Sequence, residues 1–453
     1  MIKLNWNRLI YALVCSWPTS VPALADDWPQ FLGPGRDGRA LNANIDLENW
    51  NPLPNVEWTL QLGTSYGAPV VSKDQLFQFD RFGDSERLTC FDVNSKQEIW
   101  RSQSTILYSD KYGYNNGPRC SPIIDGSNVY TYGVAGDLRC VEINSGELLW
   151  HVDVNKKYNV IANFFGVASN PIIYQDLILV MVGGSPAVQS QSTPVGAAKP
   201  NHSAIVAFDK MTGEEVYRCG NDLASYSSIQ LKKLGNKTFG FALLRGGLYC
   251  WNPDRSLAAS TDGSPVSRDI FYFPWRASML ESVNAAVPVF DGNRVLISEA
   301  YEIGSVVLDL TPILSGKEPT VVWKDSGPRS KCRFRAHWAT PIIIDGYIYG
   351  GHGRNEPDSD LRCVRLSDGE VMWRDRRHER MSVTQVGDKL VALGEYGRLE
   401  VIEPTPTKLK VLKMVDLEQE SLLRYPCWAA PIIAGDAVFL RGKDRLIKFR
   451  MGE

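Results

Sequence analysis

A repeat of about 51 residues constrains this chain more than any other feature of its sequence. Eight tripeptides recur at intervals of 38 to 67 residues, each an aliphatic residue, any residue and then usually a small or β-forming residue. The third residues of these tripeptides are Cys90, Cys140, Ala207, Cys250, Val307, Cys363, Val401 and Lys448. The interval is too irregular for a solenoid, but it suits blades that carry loops of different lengths.

Two further signals hold fixed places in the repeat. In four units an aromatic residue stands ten positions after the third residue of the tripeptide: Trp100, Trp150, Tyr217 and Trp373. Six units open with a proline and two β-forming residues: Pro69, Pro122, Pro171, Pro288, Pro341 and Pro431. Two further units, near Ser227 and Thr384, lack the proline. Proline is tolerated at the start of a strand, and Asp-Gly pairs mark tight turns. Each unit is therefore predicted to hold four short strands, the fourth ending in the aromatic residue.

These units predict an all-β chain that forms an eight-bladed β-propeller of four-stranded antiparallel blades. Helical periodicity is hard to find anywhere, and the last unit ends near Arg450 with room for only three strands. The segment Val56–Leu60 resembles an orphan fourth strand. We expect this N-terminal strand to complete the last blade, because closing the ring removes two free sheet edges.

The first 25 residues have the order of a secretory signal peptide. Lys3 and Arg8 precede an apolar run from Leu9 to Val14, and the small-residue end Ala23-Leu24-Ala25 follows. We expect cleavage after Ala25, which leaves residues 26–453 as one exported domain in the periplasm or outside the cell.

A membrane anchor and a lipid anchor agree less well with the sequence of this segment. Pro18 and Pro22 interrupt an apolar run that is already shorter than the roughly 20 residues of a membrane span. A small residue usually precedes a lipidated cysteine, whereas Leu13-Val14 stand before Cys15. No later stretch is long and apolar enough to span a bilayer, so we expect a soluble protein.

The composition argues against several classes of partner. A net charge of −2 and the lack of a charge run leave no basic surface for nucleic acid. Thirteen Trp, 38 Gly and 26 Pro favour the turns and large buried side chains of an all-β protein. We expect a monomer without nucleic acid and without a transmembrane segment.

Several segments resemble the pyrroloquinoline-quinone (PQQ) type of β-propeller repeat. Ala207–Tyr217 is similar to its tryptophan-docking motif, with Tyr217 in place of Trp, and Cys140–Trp150 and Cys363–Trp373 match it as well. The segment Asp27–Gly38 is similar to the start of many exported bacterial propellers of this type. The resemblance covers the whole mature chain and implies that each docking tryptophan packs on the peptide planes of the next blade.

The resemblance leaves two functions open. One is a non-catalytic binding or scaffold protein, similar in architecture to BamB-type outer-membrane assembly factors, with an envelope protein or a polar small molecule as partner. The alternative is a PQQ-dependent quinoprotein oxidoreductase. That alternative implies a bound quinone, a calcium ion held by acidic and amide side chains, an aspartate base and commonly a Cys-Cys disulfide.

The sequence favours the binding protein. No adjacent Cys-Cys pair occurs, the blades lack long insertions, and calcium ligands cannot be placed residue by residue. Since one fold hosts many functions, this choice rests on the site and not on the fold. No catalytic residue, metal or cofactor is expected, and PQQ with calcium enters only under the alternative.

Histidines and cysteines indicate no other chemistry. The five histidines form no pair at metal-ligand spacing and are expected to be surface or strand residues, and neither Cys-x-x-Cys nor Gly-x-Ser-x-Gly occurs. Four cysteines occupy one repeat position in separate blades, further apart than the roughly 7 Å limit for a disulfide. These predicted buried hydrophobes are Cys90, Cys140, Cys250 and Cys363. A bridge stays open among the other four, Cys120, Cys219, Cys332 and Cys427.

The first strand of each blade lines the central channel of a propeller, so the residues just before these strands ring one channel mouth. The predicted ligand-binding residues of the mouth are Tyr66, Arg119, Asn170, Tyr226, Asn284, His337, Trp338 and Trp428. Glu281, Arg380 and Tyr425 stand slightly further out. Aromatic, amide and arginine side chains in a concave mouth suit a polar small molecule or a peptide segment. Residues that only plug the channel would have the same composition.

A second candidate site is the polar loop 351–360, because loops carry function more often than cores do. A solvated hairpin tip would explain this loop equally well. The sequence does not indicate which of the two channel mouths is functional.

Overall fold

The computed structural model describes residues 27–43, 45–50, 53–257 and 267–451. They form eight four-stranded antiparallel blades arranged as a β-propeller, which confirms the fold predicted from the repeat. The predicted signal peptide, residues 1–25, lies outside the described residues. Within the described ranges, no helix is long and apolar enough to cross a membrane.

Two strands precede the first blade, β1 (Arg39–Ala40) and β2 (Asn55–Gln61). Blade 1 has β3–β6 (Val70–Ser72, Gln75–Phe82, Ser85–Asp92, Glu98–Thr105) and blade 2 has β7–β10 (Ile123–Asp125, Asn128–Tyr132, Asp137–Glu142, Leu148–Asp153). Blade 3 has β11–β14 (Ile172–Tyr174, Leu177–Met181, Ile205–Asp209, Glu215–Cys219) and blade 4 has β15–β18 (Gln230–Leu234, Lys237–Leu243, Gly247–Trp251, Asp269–Pro274).

The second half of the ring follows the same order. Blade 5 has β19–β22 (Val289–Asp291, Arg294–Glu299, Gly304–Asp309, Thr320–Lys324) and blade 6 has β23–β26 (Ile342–Ile344, Tyr347–His352, Asp360–Arg365, Val371–Asp375). Blade 7 has β27–β30 (Met381–Val386, Lys389–Gly394, Arg398–Glu403, Lys410–Asp416) and blade 8 has β31–β33 (Ile432–Ala434, Ala437–Arg441, Arg445–Arg450). The described helices are α1 (Val154–Lys157) and the 3₁₀ turns Val195–Ala197, Thr311–Ser315 and Arg329–Lys331.

The six prolines fix where the first strands begin. In every blade that carries the proline, the first strand starts at the next residue and is three residues long. In the two blades without it, β15 and β27 run for five and six residues. A proline has no N–H to donate, so the pairing of a blade's first strand starts after it.

The apolar core lies between neighbouring blades. The second strands are the most buried elements, and β8 and β12 are buried at every residue. The fourth strands form the outer edges, and from the third residue of β6 onward buried or partly buried residues alternate with exposed ones. Such alternation is typical of a strand with one face on the core and the other in water.

Aromatic side chains on the fourth strands connect each blade to the next one. A ring N–H or hydroxyl donates to a backbone carbonyl of the following blade at 2.8 to 3.1 Å in six pairs. The pairs are Trp58–Val93, Trp100–Ile143, Trp150–Lys210, Tyr217–Pro253, Trp323–Leu366 and Trp373–Thr405. This arrangement agrees with the docking role that the resemblance implies.

The glycine in the turn of the next blade accommodates the docked ring. A Cβ on Gly213 would lie 2.7 Å from the Trp150 ring, and the φ of Gly213 is +73°. Both the close approach and the left-handed conformation exclude larger side chains here.

The predicted position of the docking residue within its strand is wrong. Trp100 is the third residue of β6 and not its end, because a β-bulge pairs Cys90 with Trp100 and Phe91 with Glu98. The strand then continues beyond the bulge along the full length of β5.

The N-terminal strand closes the ring as predicted. β2 pairs antiparallel with β33, so the sheet order in blade 8 is β2-β33-β32-β31. The side chain of Lys448 on β33 lies 2.7 Å from the Glu57 carboxylate on β2. Trp58 provides the docking ring of the closed blade, and its indole N–H reaches Val93 of blade 1 at 3.0 Å.

The segment 28–40 crosses the central channel as a plug. Trp28 pairs with Val71 of blade 1, and the carbonyl of Pro29 accepts from Ile124 of blade 2 at 2.9 Å. Further along the segment, β1 runs parallel to β27 of blade 7.

Arg36 is the central residue of the plug. It is 5% exposed and donates to the carbonyls of Pro171 in blade 3 at 3.1 Å and Ile229 in blade 4 at 2.9 Å. Burial lowers the pKa of its guanidinium to about 9. Since several blades contact one continuous segment, the plug ties the inner strands together.

All eight cysteines of the described chain are free and buried. Cys90, Cys140, Cys250 and Cys363 are buried, as predicted, and they lie in the seams between neighbouring blades. Among the other four, the thiols of Cys120, Cys332 and Cys427 contact backbone carbonyls, and no bridge forms.

Candidate functional site

A cavity of about 430 Å³ occupies the channel mouth. Because the first strands of all blades begin at the same end of the channel, residues from separate repeats meet there. Seven of the eight predicted mouth residues line the cavity: Tyr66, Arg119, Asn170, Tyr226, His337, Trp338 and Trp428. Arg380 and Tyr425 line it as well, whereas the exposed Glu281 does not.

Asn284 is the exception among the predicted residues. It is 1% exposed, and its amide donates to the carbonyl of Leu244 at 2.8 Å, while its neighbours Val283 and Ala285 line the cavity. The prediction that Asn284 faces the cavity is therefore wrong. Its amide ties the connection after blade 4 to the β16–β17 turn of that blade.

The plug forms the floor of the cavity. Trp28, Phe31 and Leu32 line it from the side on which Arg36 crosses the channel. The cavity is therefore accessible from the mouth where the first strands begin.

Three aromatic rings form a continuous wall in the cavity. The ring centroids of Tyr66 and Trp428 lie 4.6 Å apart, and those of Trp428 and Trp338 are also 4.6 Å apart. The interplanar angles of 42° and 40° leave ring faces and edges toward the cavity. Such a wall provides a large contact area for a flat or apolar group.

Arginine side chains stand against the aromatic rings. The Arg380 guanidinium lies 4.0 Å from the ring centroid of Trp338, and Arg354 lies 4.3 Å from that of Tyr301. Arg119 lies 5.8 Å from the ring of Tyr66. Cation–π contacts of this kind hold a guanidinium in place without neutralising its charge.

Two of these arginines have a carboxylate partner outside the cavity lining. Arg380 donates through Nε to Glu395 at 2.9 Å, and Arg119 donates to Asp110 at 2.7 Å. Arg354 has no ion pair with any described residue, and the described residues that line the cavity include no Asp or Glu. Arg354 therefore adds to the lining a positive charge that no ion pair with a described residue neutralises.

His337 is neutral in this setting. Burial, with the nearby charges of Arg380 and Arg354, lowers the pKa of its imidazole to about 3. Its Nδ1 lies 3.4 Å from the Arg380 guanidinium. Tyr66 keeps its proton as well, since burial raises its pKa to about 12. Neither residue is poised to exchange a proton near neutral pH.

The polar loop 351–360 contributes to the cavity in part. Its first residues are structural, because His352 is 2% exposed and its Nδ1 accepts from the backbone N–H of Arg335 at 3.0 Å. Asp358 binds the Arg335 guanidinium at 2.6 Å. Arg354 and Asn355 of this loop line the cavity, and the tip of the β24–β25 hairpin, residues 355–357, is exposed, as expected of a solvated hairpin tip.

Sequence reasoning missed Arg354 as a cavity residue, and also Tyr114, Phe165 and Tyr301. These residues lie in connections of variable length, where the repeat frame gives no position. The only sequence signal was the aromatic content of the connections before blades 2 and 3.

The cavity does not fit the calcium site that a quinoprotein dehydrogenase would need. Calcium takes carboxylate and amide oxygens, and no carboxylate lines the cavity among the described residues. The Asn170 amide oxygen accepts from the Ser121 N–H at 2.8 Å, and its NH₂ donates to Ser228 at 3.0 Å. Elsewhere in the described chain, no group of three potential metal ligands occurs.

The fold defines the class of protein, a β-propeller with PQQ-like repeats, here with a cavity at the channel mouth. A family model described as "Outer membrane protein assembly factor BamB" matches residues 42–193 and, in a second alignment, residues 84–405. The chain belongs to this family of PQQ-like β-propellers. No curated protein matches it in sequence.

Solved structures from two functional classes share the fold. BamB from Moraxella catarrhalis aligns with a TM-score of 0.57 and 9% identity over 88% of this chain and 98% of its own. A europium-containing methanol dehydrogenase aligns with a TM-score of 0.61 and 11% identity over 92% of this chain and 89% of its own. The quinohemoprotein alcohol dehydrogenase from Comamonas testosteroni aligns with a TM-score of 0.57 and 11% identity. The alignment covers 94% of this chain and 82% of the dehydrogenase. At these identities the similarity concerns the fold alone.

Proposed function

We propose that this protein is an exported, non-catalytic binding protein that holds a negatively charged ligand in the cavity at the channel mouth. The observation that carries the proposal is the combination of a Tyr66–Trp428–Trp338 wall with arginines and no lining carboxylate among the described residues. The ligand is either a polar small molecule or a peptide segment of an envelope protein.

The chemistry of the ligand follows from the lining. The aromatic wall favours a flat or apolar group, and Arg354, which lacks an ion pair with the described residues, favours a carboxylate or another anion beside it. A volume of about 430 Å³ falls within the usual range for small-molecule sites.

Export supports the proposal from the sequence side. The signal-peptide order of residues 1–25 predicts a periplasmic or extracellular location, where a soluble propeller would meet envelope proteins and small solutes. The quinoprotein alternative receives no support from the cavity, because no described residue of the lining offers a carboxylate as an aspartate base or calcium ligand.

A pair of small probes tests the proposal. We expect 2-naphthoate to bind and 2-naphthamide, which lacks the charge, to bind at least about tenfold more weakly in isothermal titration calorimetry. Arg354→Gln and Trp428→Ala should each weaken the binding of 2-naphthoate. Trp150→Ala, outside the cavity lining, is the matched control and should leave the affinity unchanged.

Equal affinities for the two probes, or equal losses in the cavity and control variants, would refute the binding site. A visible absorption band that appears when PQQ and Ca²⁺ are added, and that Trp428→Ala removes, would favour the quinoprotein alternative instead.

A further inference from the structure

Two exposed tyrosine rings stand at the channel mouth outside the lining of the cavity, and together they are called the rim here. Tyr112, in the connection between blades 1 and 2, is 54% exposed, and Tyr396, in the β28–β29 turn of blade 7, is 40% exposed. Neither residue lines the cavity. A ligand confined to the cavity would therefore leave both rings in water.

Each ring of the rim extends the aromatic lining of the cavity outward. The ring centroid of Tyr112 lies 5.5 Å from that of Phe165 and 6.3 Å from that of Tyr114, and both of these residues line the cavity. On the blade 7 side, the Tyr396 ring stacks on the lining residue Tyr425 at 5.0 Å. Exposed apolar surface that is continuous with a cavity marks an interaction site. The rim therefore indicates a ligand that extends beyond the cavity.

The floor of the cavity limits how a chain can occupy it. Trp28, Phe31 and Leu32 form this floor, so a polypeptide that enters through the mouth has to end in the cavity or reverse its direction there. At neutral pH the carboxyl end of a polypeptide is negatively charged, and the amino end is mostly positively charged. Only the carboxyl end supplies the anion that Arg354 lacks.

Arg354 and Asn355 offer the groups that bind a carboxyl end. They follow each other in the chain, and both line the cavity. Arg354 has no ion pair with a described residue, and the exposed Asn355 side chain has no hydrogen bond to another described residue. A guanidinium binds a carboxylate, and a carboxamide both donates and accepts, as a peptide group does. Glu356, the next residue, is exposed outside the lining, so it adds no negative charge there.

The other charged and amide side chains of the lining already have partners. Arg119 and Arg380 pair with carboxylates, and the Asn170 amide pairs with the Ser121 N–H and the Ser228 hydroxyl. Tyrosine hydroxyls add donors for the carbonyl groups of a ligand. The described lining includes Tyr66, Tyr114, Tyr226, Tyr301 and Tyr425.

We propose that the ligand of the channel mouth is the free carboxyl end of a polypeptide, an inference that rests on the proposed function and names its partner. The terminal carboxylate pairs with Arg354, and the last side chain, aromatic or aliphatic, packs on the Tyr66–Trp428–Trp338 wall. Two residues of an extended chain span about 7 Å. Apolar side chains two to four positions before the end therefore reach the rim and cover Tyr112 and Tyr396.

Four probes test this partner by isothermal titration calorimetry on the full mature chain. Acetyl-Phe carries only the part that occupies the cavity, and acetyl-Tyr-Gly-Leu-Gly-Phe adds apolar side chains for the rim. The C-terminal amide of this pentapeptide lacks the charge, and acetyl-Ser-Gly-Ser-Gly-Phe lacks the apolar side chains. We expect the pentapeptide acid to bind at least about tenfold more tightly than each of the other three.

Substitutions assign the gain in affinity to the rim. Tyr112→Ser and Tyr396→Ser should each weaken the pentapeptide acid at least about threefold and leave acetyl-Phe and 2-naphthoate unchanged. Both rings are largely in solvent, so these variants should fold. Ile99→Ser, at a 49% exposed position on the outer strand β6, is the matched control and should change no affinity. Arg354→Gln should lower the affinity of the pentapeptide acid to that of its amide.

The outcomes separate this inference from the proposed function. If 2-naphthoate binds but the pentapeptide acid binds no more tightly than acetyl-Phe or the serine peptide, the ligand is a small molecule and the inference is wrong. Equal affinities for the pentapeptide acid and its amide would exclude a carboxyl end and point to an internal peptide segment. Equal losses in Tyr112→Ser and Ile99→Ser would exclude the rim. If 2-naphthoate also fails to bind, the proposed function fails together with this inference.

Discussion

Truncating the docking tryptophans should reveal how much stability the blade seams contribute. Trp150 and Trp373 occupy one repeat position in blades 2 and 6, and both are half-buried. Their indole N–H groups donate to Lys210 at 3.1 Å and to Thr405 at 2.8 Å, across the seam. Replacing a fully buried aromatic residue by alanine costs about 3–5 kcal/mol, and half-burial places both variants near 3 kcal/mol. About 1 kcal/mol of that loss belongs to the indole hydrogen bond.

Trp338 and Trp428 provide the comparison at the channel mouth. They are also half-buried, but they stack on each other with the cavity on one side, and Nε1 of Trp338 has no hydrogen-bond partner. We expect each Trp→Ala change at the mouth to cost about 1 kcal/mol, because a ring that borders the cavity loses fewer packing contacts than a ring docked across a blade seam. The same changes should abolish the binding of 2-naphthoate, whereas the seam variants should keep it.

Differential scanning calorimetry can separate the two pairs. An unfolding entropy of about 2.1 cal/mol/K per residue gives roughly 0.9 kcal/mol/K for about 430 residues. The seam variants should therefore melt about 3 °C below the wild type and the mouth variants about 1 °C below it. Trp150→Phe keeps a ring on Gly213 and loses only the N–H donor, so it should account for about a third of the Trp150→Ala loss.

Equal shifts for the two pairs would show that the mouth tryptophans are packing residues. A seam variant with an unchanged melting temperature would show that docking across the seam contributes little to stability. Either result contradicts the reasoning, and the first would also remove the main support for the channel-mouth site.

Three further predictions concern other parts of the chain. N-terminal sequencing of the exported protein should find Asp26, and an intact Met1 or a lipid on Cys15 would contradict the signal peptide. Deleting residues 26–61 removes β2 and exposes the β33 edge, so size-exclusion chromatography should show aggregates; a monomer that melts like the wild type would disprove the closure. Burial raises the pKa of Glu86 from 4.5 to about 7. Between these two pH values the folded protein keeps a proton that the unfolded chain has lost. The free energy of unfolding should therefore fall as pH rises from about 4.5 to 7. Glu86→Gln should remove this fall and melt above the wild type at pH 8. Glu147→Gln, at an exposed position, should change neither the pH dependence nor the melting temperature at pH 8. A wild-type melting temperature that stays constant from about pH 4.5 to 7 would refute the argument.

Much of the fold could be predicted because the repeat is local. Proline before a first strand, a turn with glycine and an aromatic residue after it each act over a few residues, so their spacing survives in the sequence. The same argument located the channel mouth, since the residues before each first strand meet at one end of the ring. It also predicted the closing strand from the missing fourth strand of blade 8.

The repeat frame fails where an insertion changes the spacing. Trp323 docks on blade 6 as the other tryptophans dock on theirs, but it follows Val307 by more than ten residues, because the 3₁₀ turn Thr311–Ser315 intervenes. Trp58 docks as well, but the tripeptide of its blade, which ends at Lys448, lies at the other end of the chain.

The sequence by itself determined the number of blades, the order of their strands, the closing strand and most of the mouth residues. Only the tertiary structure decided that 28–40 plugs the channel, that Asn284 turns away from the cavity, and that Arg354 reaches into it without a carboxylate partner among the described residues. The physical reason is that strand pairing follows a local period of two residues, which the sequence records. The direction of a connecting loop and the charge of a cavity depend instead on side chains from distant blades, which meet only when the ring is closed.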